Sequence, residues 1–92
     1  MRRVEISADA QKGIRYLRRW LAERSPNASK RAAETILVAA RSLADFHGRG
    51  RLALEGIREL PVSFGSAGYV LQYFVESDRV VISRVFHSLE RR

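Results

Sequence analysis

Apolar residues recur along this chain with two different periods, and the change of period divides it into elements. Over residues 2–7, Val4 and Ile6 alternate with polar neighbours, the signature of a short strand. Ser7 is placed to cap a helix beginning just after it, and Asp9 falls in the first turn, where the helix dipole favours an anion. From residue 10 the spacing becomes helical, with Ala10, Ile14, Leu17 and Leu21 forming one stripe and Lys12, Arg15, Arg18 and Arg19 lying largely off it. Pro26 disfavours helical geometry at Ser25 but suits a first helical turn. A second helix is therefore expected over about residues 27–46, with Ala28, Ala32, Ile36, Ala39, Leu43 and Phe46 on one face. Its alanines permit close approach to the first helix, and the short break between the two predicts an antiparallel helical hairpin.

The run HGRGR at 47–51 ends the second helix with glycines and cations. Strand patterns come next at 56–64, 69–76 and 79–87, separated by the turn signals GSAG and SD. In the first of these, Arg58, Leu60, Val62 and Phe64 share one side, and Pro61 argues for an edge position or a bulge. The fold class expected is α+β in the order β-α-α-β-β-β: a small twisted antiparallel sheet with an N-terminal helical hairpin packed on one face. The first strand must find an edge of that sheet. Leu17, Leu21, Ile36, Leu43, Leu71 and Val85 are the expected core.

Ninety-two residues suit a single domain spanning 1–92, with 46% hydrophobic residues for one core. The chain has no cysteine, so disulfides, thiolate nucleophiles and cysteine-type zinc sites are excluded. Its apolar runs are far short of the roughly 18 residues needed to cross a bilayer, and its start lacks the apolar stretch of a signal peptide. A soluble cytoplasmic protein without membrane association is expected. The formal charge is +7, from 17 Lys+Arg against 10 Asp+Glu, and only Lys12 and Lys30 of those cations are not arginine. Arginine pairs bidentately with carboxylate or phosphate, so an acidic partner is expected.

The inventory of reactive groups is short. His47 and His87 stand in unrelated contexts, so no metal site is expected, and no motif calls for a cofactor. HGRGR follows a helix instead of opening one, which is the wrong context for a phosphate loop. No serine has a base at a suggestive spacing. Arg58, Arg84 and His87 remain, carried by the later strands. Two cations could hold a phosphate and a histidine at their rim could move a proton near neutral pH. Equally, each has an ordinary structural role open to it, as a solvated or paired arginine or a strand-end histidine.

The order strand, helical hairpin, GIREL at 56–60, the tyrosine-bearing strand from Tyr69 to Tyr73, and the valine-rich strand ending in His87 resembles the ParE/RelE superfamily of toxins from bacterial type II toxin–antitoxin systems. The resemblance covers nearly the whole chain. It implies growth inhibition by one of two routes. RelE-like members cut messenger RNA on the ribosome, holding the scissile phosphate with lysines and arginines and commonly using a tyrosine near the C-terminus. ParE-like members poison DNA gyrase by binding, with no reaction of their own.

This chain departs from the nucleases at three points. Val70 stands where RelE-like chains tend to carry an arginine, Arg58 is the single cation of its strand, and no tyrosine comes after His87. The ParE-like reading is favoured, with no catalytic residue expected and with Arg58, Arg84, His87, Arg91 and Arg92 offered to the target. Under the RelE-like alternative Arg58, Arg84 and His87 would be the catalytic set. A second alternative is an inactive remnant that still binds antitoxin. The resemblance also implies a cognate antitoxin, a role in plasmid stabilisation, and possible assembly into a larger toxin–antitoxin oligomer. An acidic amphipathic antitoxin segment would suit Lys12, Arg15, Tyr16, Arg19 and Trp20 on the first helix, where Tyr16 and Trp20 lie four residues apart. The same two rings could instead complete the toxin's own core.

Overall fold

The computed structural model describes residues 1–65 and 67–88. A strand β1 (Arg3–Ile6) leads into helices α1 (Ala8–Ala22) and α2 (Pro26–Ser42). Four strands complete the chain: β2 (Arg51–Leu54), β3 (Ile57–Phe64), β4 (Ala67–Val75) and β5 (Arg79–His87). They form, with β1, one five-stranded sheet in the order β1-β5-β4-β3-β2. The α+β class, the helical hairpin and the meander agree with expectation. Three features differ from it.

The sheet is mixed instead of antiparallel. β1 does take an edge, but it runs parallel to β5, with Arg3 beside Arg79 and Ile6 beside Ile82. A parallel pair needs a long crossover, and the helical hairpin and meander between them supply it. The second difference is β2, a strand of four exposed residues drawn from the end of HGRGR and the residues after it. It turns into β3 through Glu55 and Gly56, and the positive φ of 75° at Gly56 is a conformation that glycine adopts without penalty. Third, α2 stops at Ser42 instead of Phe46. Leu43 forms the cap, and Phe46 is exposed instead of extending the apolar stripe.

Ser7 caps α1 as expected, and Ser25 caps α2, a role the sequence did not assign. The Ser7 hydroxyl accepts from the Ala10 amide at 3.1 Å, and the Ser25 hydroxyl accepts from the Ala28 amide at 3.2 Å. Pro26 opens α2, as its fixed φ favours. Both helices lie on one face of the sheet. Leu17, Ile36, Leu43, Leu71 and Val85 are buried as expected, whereas Leu21 is half-buried and packs against that core. Pro61 sits beyond the reach of β2, whose pairing with β3 ends at Glu59, so β3 is itself an edge there. This is where a strand tolerates a proline.

One irregularity in β5 decides which side chains face the helices. Gln72 pairs with Arg84, but Tyr73 pairs with Ile82, so Ser83 is an extra residue. Such a bulge reverses the alternation beyond it. Val80 and Ile82 before it and Val85 after it are all buried in the helix-facing core. Arg84 and Phe86 are thereby turned to the other face. The bulge is anchored from two sides. The Ser83 hydroxyl donates to the Gln72 carbonyl at 3.1 Å, and the Ser7 hydroxyl donates to the Ser83 carbonyl at 3.0 Å.

Candidate functional site

Arg58, Arg84 and His87 do not converge. Arg58 is on β3 and Arg84 on β5, with β4 between them, so the two arginines are not on adjacent strands. Arg58 pairs with Tyr73 and His87 with Tyr69, placing both on the helix-bearing face. Tyr69 and Tyr73 are four residues apart, so Arg58 and His87 are separated by roughly 13 Å along the sheet and about 10 Å across it. Arg84 lies on the opposite face because of the Ser83 bulge. Arg91 and Arg92, the remaining residues expected at the target, lie outside the described residues.

Each of the three has a local role. The Arg58 guanidinium donates to the Gly50 carbonyl at 2.6 Å. The His87 ring meets the Tyr69 ring edge-on, with centroids 5.7 Å apart, a favourable aromatic geometry. Burial pushes the Tyr69 hydroxyl above its ordinary pKa. Arg84 lies over the Phe86 ring at 5.1 Å.

Arg58 belongs to a small network that fixes the entry to β2. The Tyr73 hydroxyl donates to the His47 carbonyl at 2.8 Å and accepts from the Gly50 amide at 2.8 Å. Gly50 is buried, and a Cβ there would fall 2.6 Å from the Tyr73 oxygen. Tyrosine, glycine and arginine together hold the 47–50 loop against the sheet. The sequence showed the glycines only as helix terminators, because the contact spans more than twenty residues.

On α1 the expected residues do come together. Lys12, Arg15, Tyr16, Arg19 and Trp20 are all exposed, Tyr16 by 54% and Trp20 by 42%. These rings therefore do not complete the core. The guanidinium of Arg24 lies 3.7 Å above the Trp20 ring, a cation–π contact that holds the indole on the surface. Beside them, Arg15, Arg18, Arg19 and Ala22 of α1 and Ser29 of α2 line an open groove of about 390 Å³. The Ser29 hydroxyl donates to the Arg18 carbonyl at 2.7 Å and ties the two helices together there. A second hollow, of about 370 Å³, is lined by Asp9, Lys12 and Tyr16 from α1 and by Arg84 and Phe86 from β5. Arg84, assigned from the sequence to the target surface, thus borders the same hollow as Lys12 and Tyr16, assigned to the antitoxin. The two sets are continuous on the molecule. Their meeting depends on the bulge and could not be read from spacing.

Among the described residues no cluster of three or more His, Cys, Asp or Glu side chains could hold a metal ion. Nor is any helix there long and apolar enough to cross a membrane. What remains is a pair of basic, partly aromatic surfaces on a two-helix, five-strand α+β domain, an arrangement fitted to macromolecular contact.

Comparison with known proteins gives that class its family. The model of the ParE toxin of the type II toxin–antitoxin system parDE matches residues 4–92, and the chain belongs to this family. It is a toxin of the ParE/RelE superfamily. The chain is 50% identical to Toxin RelE3 of Caulobacter vibrioides over the full length of both. It is 34% identical to Toxin RelE1 of the same organism, over 97% of this chain and 96% of that one. Its fold matches a solved structure of the chromosomal ParDE toxin–antitoxin system from P. aeruginosa. That match has a TM-score of 0.78 at 16% identity and covers 95% of this chain and 96% of the other.

Proposed function

We propose that this toxin arrests bacterial growth by binding a protein target in the cytoplasm, DNA gyrase, and that it carries out no RNA cleavage. The separation of Arg58, Arg84 and His87 supports this reading. RNA cleavage requires donors within about 3 Å of the phosphate where charge develops, together with a base and an acid at its two oxygens. Here one arginine is spent on the Gly50 carbonyl, the second lies on the opposite face, and the histidine stands apart from both. The same surface serves well for binding, since Arg84, Lys12 and Tyr16 border one hollow.

Neutralisation falls to a cognate antitoxin, whose acidic amphipathic segment lies along α1 and anchors on Tyr16 and Trp20. The net charge of +7 supports an acidic partner. Rim charges mainly set the association rate and its salt dependence, while a buried aromatic sets dissociation. Trp20→Ala is accordingly expected to speed antitoxin dissociation, and Arg15→Ala with Arg19→Ala to slow association and flatten its salt dependence. Unchanged kinetics in both would place the antitoxin elsewhere.

The target is tested by running purified toxin in a gyrase supercoiling assay beside a ribosome-dependent mRNA cleavage assay. Supercoiling should be inhibited and mRNA should stay intact, and His87→Gln should remain toxic when expressed without antitoxin. Cleavage of mRNA that His87→Gln abolishes, in a folded variant, would replace this reading with the nuclease one. Expression without any effect on growth would reduce the chain to an antitoxin-binding remnant.

A further inference from the structure

Helix α1 has two flanks of different chemistry. Asp9, Tyr16 and Glu23 are spaced by seven and share the flank that meets β5, where Asp9, Lys12, Tyr16, Arg84 and Phe86 border the smaller hollow. That flank mixes carboxylates, cations and aromatic rings. Arg15, Arg18, Arg19 and Ala22 fall towards α2 and, with Ser29, line the larger groove. Among the described residues no carboxylate and no aromatic ring lines it. The three arginines are exposed, and the ion pairs among the described residues fall on Arg3 and Arg79 instead. Their charges stand uncompensated.

Ala22 and Ser29 add only small side chains to the groove, and the Ser29 hydroxyl is spent on the Arg18 carbonyl at 2.7 Å. What the groove presents is therefore guanidinium, a fork of donors that can meet two oxygens of one phosphate. Arg15 and Arg19 stand four residues apart, about 6 Å along the helix. That span suits two neighbouring phosphates of a DNA strand, which follow each other at about 3.4 Å along the duplex axis. We infer that this groove holds the phosphate backbone of duplex DNA, through contacts blind to base sequence. DNA as the source of those phosphates rests on the gyrase reading, because gyrase presents duplex DNA to whatever binds it.

A protein segment suits this groove less well. Protein interfaces depend on apolar and aromatic anchors, and on α1 such anchors, Tyr16 and Trp20, lie off the groove. Single-stranded RNA is disfavoured for a similar reason, since sequence-blind capture of a single strand leans on aromatic side chains that stack with its bases. A duplex held by its backbone needs only charge. Arg18 therefore belongs to the DNA flank alone, whereas Tyr16 and Trp20 belong to the antitoxin.

Fluorescence anisotropy of a labelled DNA duplex titrated with the purified full chain, without gyrase or antitoxin, tests the proposal. At about 50 mM salt the dissociation constant should be on the order of 10⁻⁵ M, and log K should fall with log salt at a slope of roughly −2 to −3. Arg18→Gln should take about one unit from that slope and weaken binding several-fold. Replacing Arg15, Arg18 and Arg19 together with glutamine should remove most of the slope. Arg51→Gln deletes the same charge from the exposed far edge of the sheet and should leave binding within about twofold of the parent. All four arginines are exposed, so melting temperatures should not move and a loss cannot be assigned to misfolding. Single-stranded RNA of equal length should bind at least about threefold more weakly. Absence of DNA binding at that salt, an equal loss from Arg51→Gln and Arg18→Gln, or RNA held as tightly as the duplex would each overturn the proposal. A toxin that inhibits supercoiling without holding DNA refutes the groove alone. One that holds DNA through Arg18 and leaves supercoiling untouched refutes the gyrase target alone.

Discussion

The two edges of this sheet are treated in opposite ways. At one, β1 lies parallel to β5 and is tied down along its length. The Arg79 guanidinium bridges Glu5, at 2.8 Å, and Glu76, while Arg2 donates to the Glu76 carbonyl at 2.8 Å. Where β1 ends, the Ser7 amide continues the ladder to the Ile82 carbonyl at 3.0 Å, and α1 then covers β5 beyond it. At the other edge β2 is four exposed residues with an irregular register. The difference lies in what the chain does next. After β1 it enters a helix that folds back over the sheet, whereas the residues before β2 form a loop that approaches from the side. An edge is sealed by the element joined to it.

The hardest blow to this contrast falls at Gly13. A Cβ there would sit 2.2 Å from the Val85 carbonyl oxygen, a backbone atom that cannot rotate away. Alanine should gain up to about 1 kcal/mol in helix propensity. The clash should outweigh that gain, and Gly13→Ala is expected to lose roughly 2–3 kcal/mol net, read as a lowered denaturation midpoint. A variant as stable as the parent would show that α1 does not seal β5 by close contact.

Tyr73→Phe probes the loop that delivers β2. It removes the hydroxyl between His47 and Gly50 and leaves a buried amide without its partner, at a cost of about 1–3 kcal/mol. Hydrogen exchange at Gly50 and in β2 should quicken while exchange in β1 stays slow. Uniform quickening would mean that the two edges open as one unit.

Ser7→Ala weakens the sealed edge more gently. It deletes the cap on α1 and the bond to the bulge carbonyl, for about 1–2 kcal/mol of stability. Ser7→Asp, which keeps the cap and loses the donor to Ser83, should recover part of this, and calorimetry of the pair separates the two contributions. The smallest effect is expected from Leu54→Lys. At an exposed edge position it should change thermal stability by less than about 0.5 kcal/mol, read as an almost unshifted melting temperature.

Both helices were legible in the sequence because their packing is amphipathic and local. Ala10 and Leu17 of the first stripe and Ala32, Ile36 and Leu43 of the second are buried as their spacing predicts, with Ile14, Leu21 and Ala39 packed against them and Phe46 falling outside. The cap at Ser7 was legible too, since its hydroxyl accepts from an amide only three residues on. The meander was legible from GSAG and SD, since a turn names its own strands. What escaped depends on distant partners. The parallel direction of β1 is settled by β5, more than seventy residues away. β2 is too short to show alternation, and β3 alone makes it a strand. The scatter of Arg58, Arg84 and His87 hinges on Ser83, whose extra place in β5 appears only when the strand is set against β4. For the α1 surface the residues were readable, but whether Tyr16 and Trp20 pointed outward was not, because an aromatic at helical spacing fits a core equally well.

The pairing of Arg3 with Arg79 also bears on how the molecule comes into being. The α1–α2 hairpin needs only contacts between near neighbours in the chain, and hairpins of this kind form within microseconds to milliseconds. Joining β1 to β5 closes a loop of more than seventy residues, and the entropy of that closure must be met before the parallel pair gives anything back. The toxin is therefore expected to fold more slowly than an all-helical chain of its length, a difference that stopped-flow refolding measures.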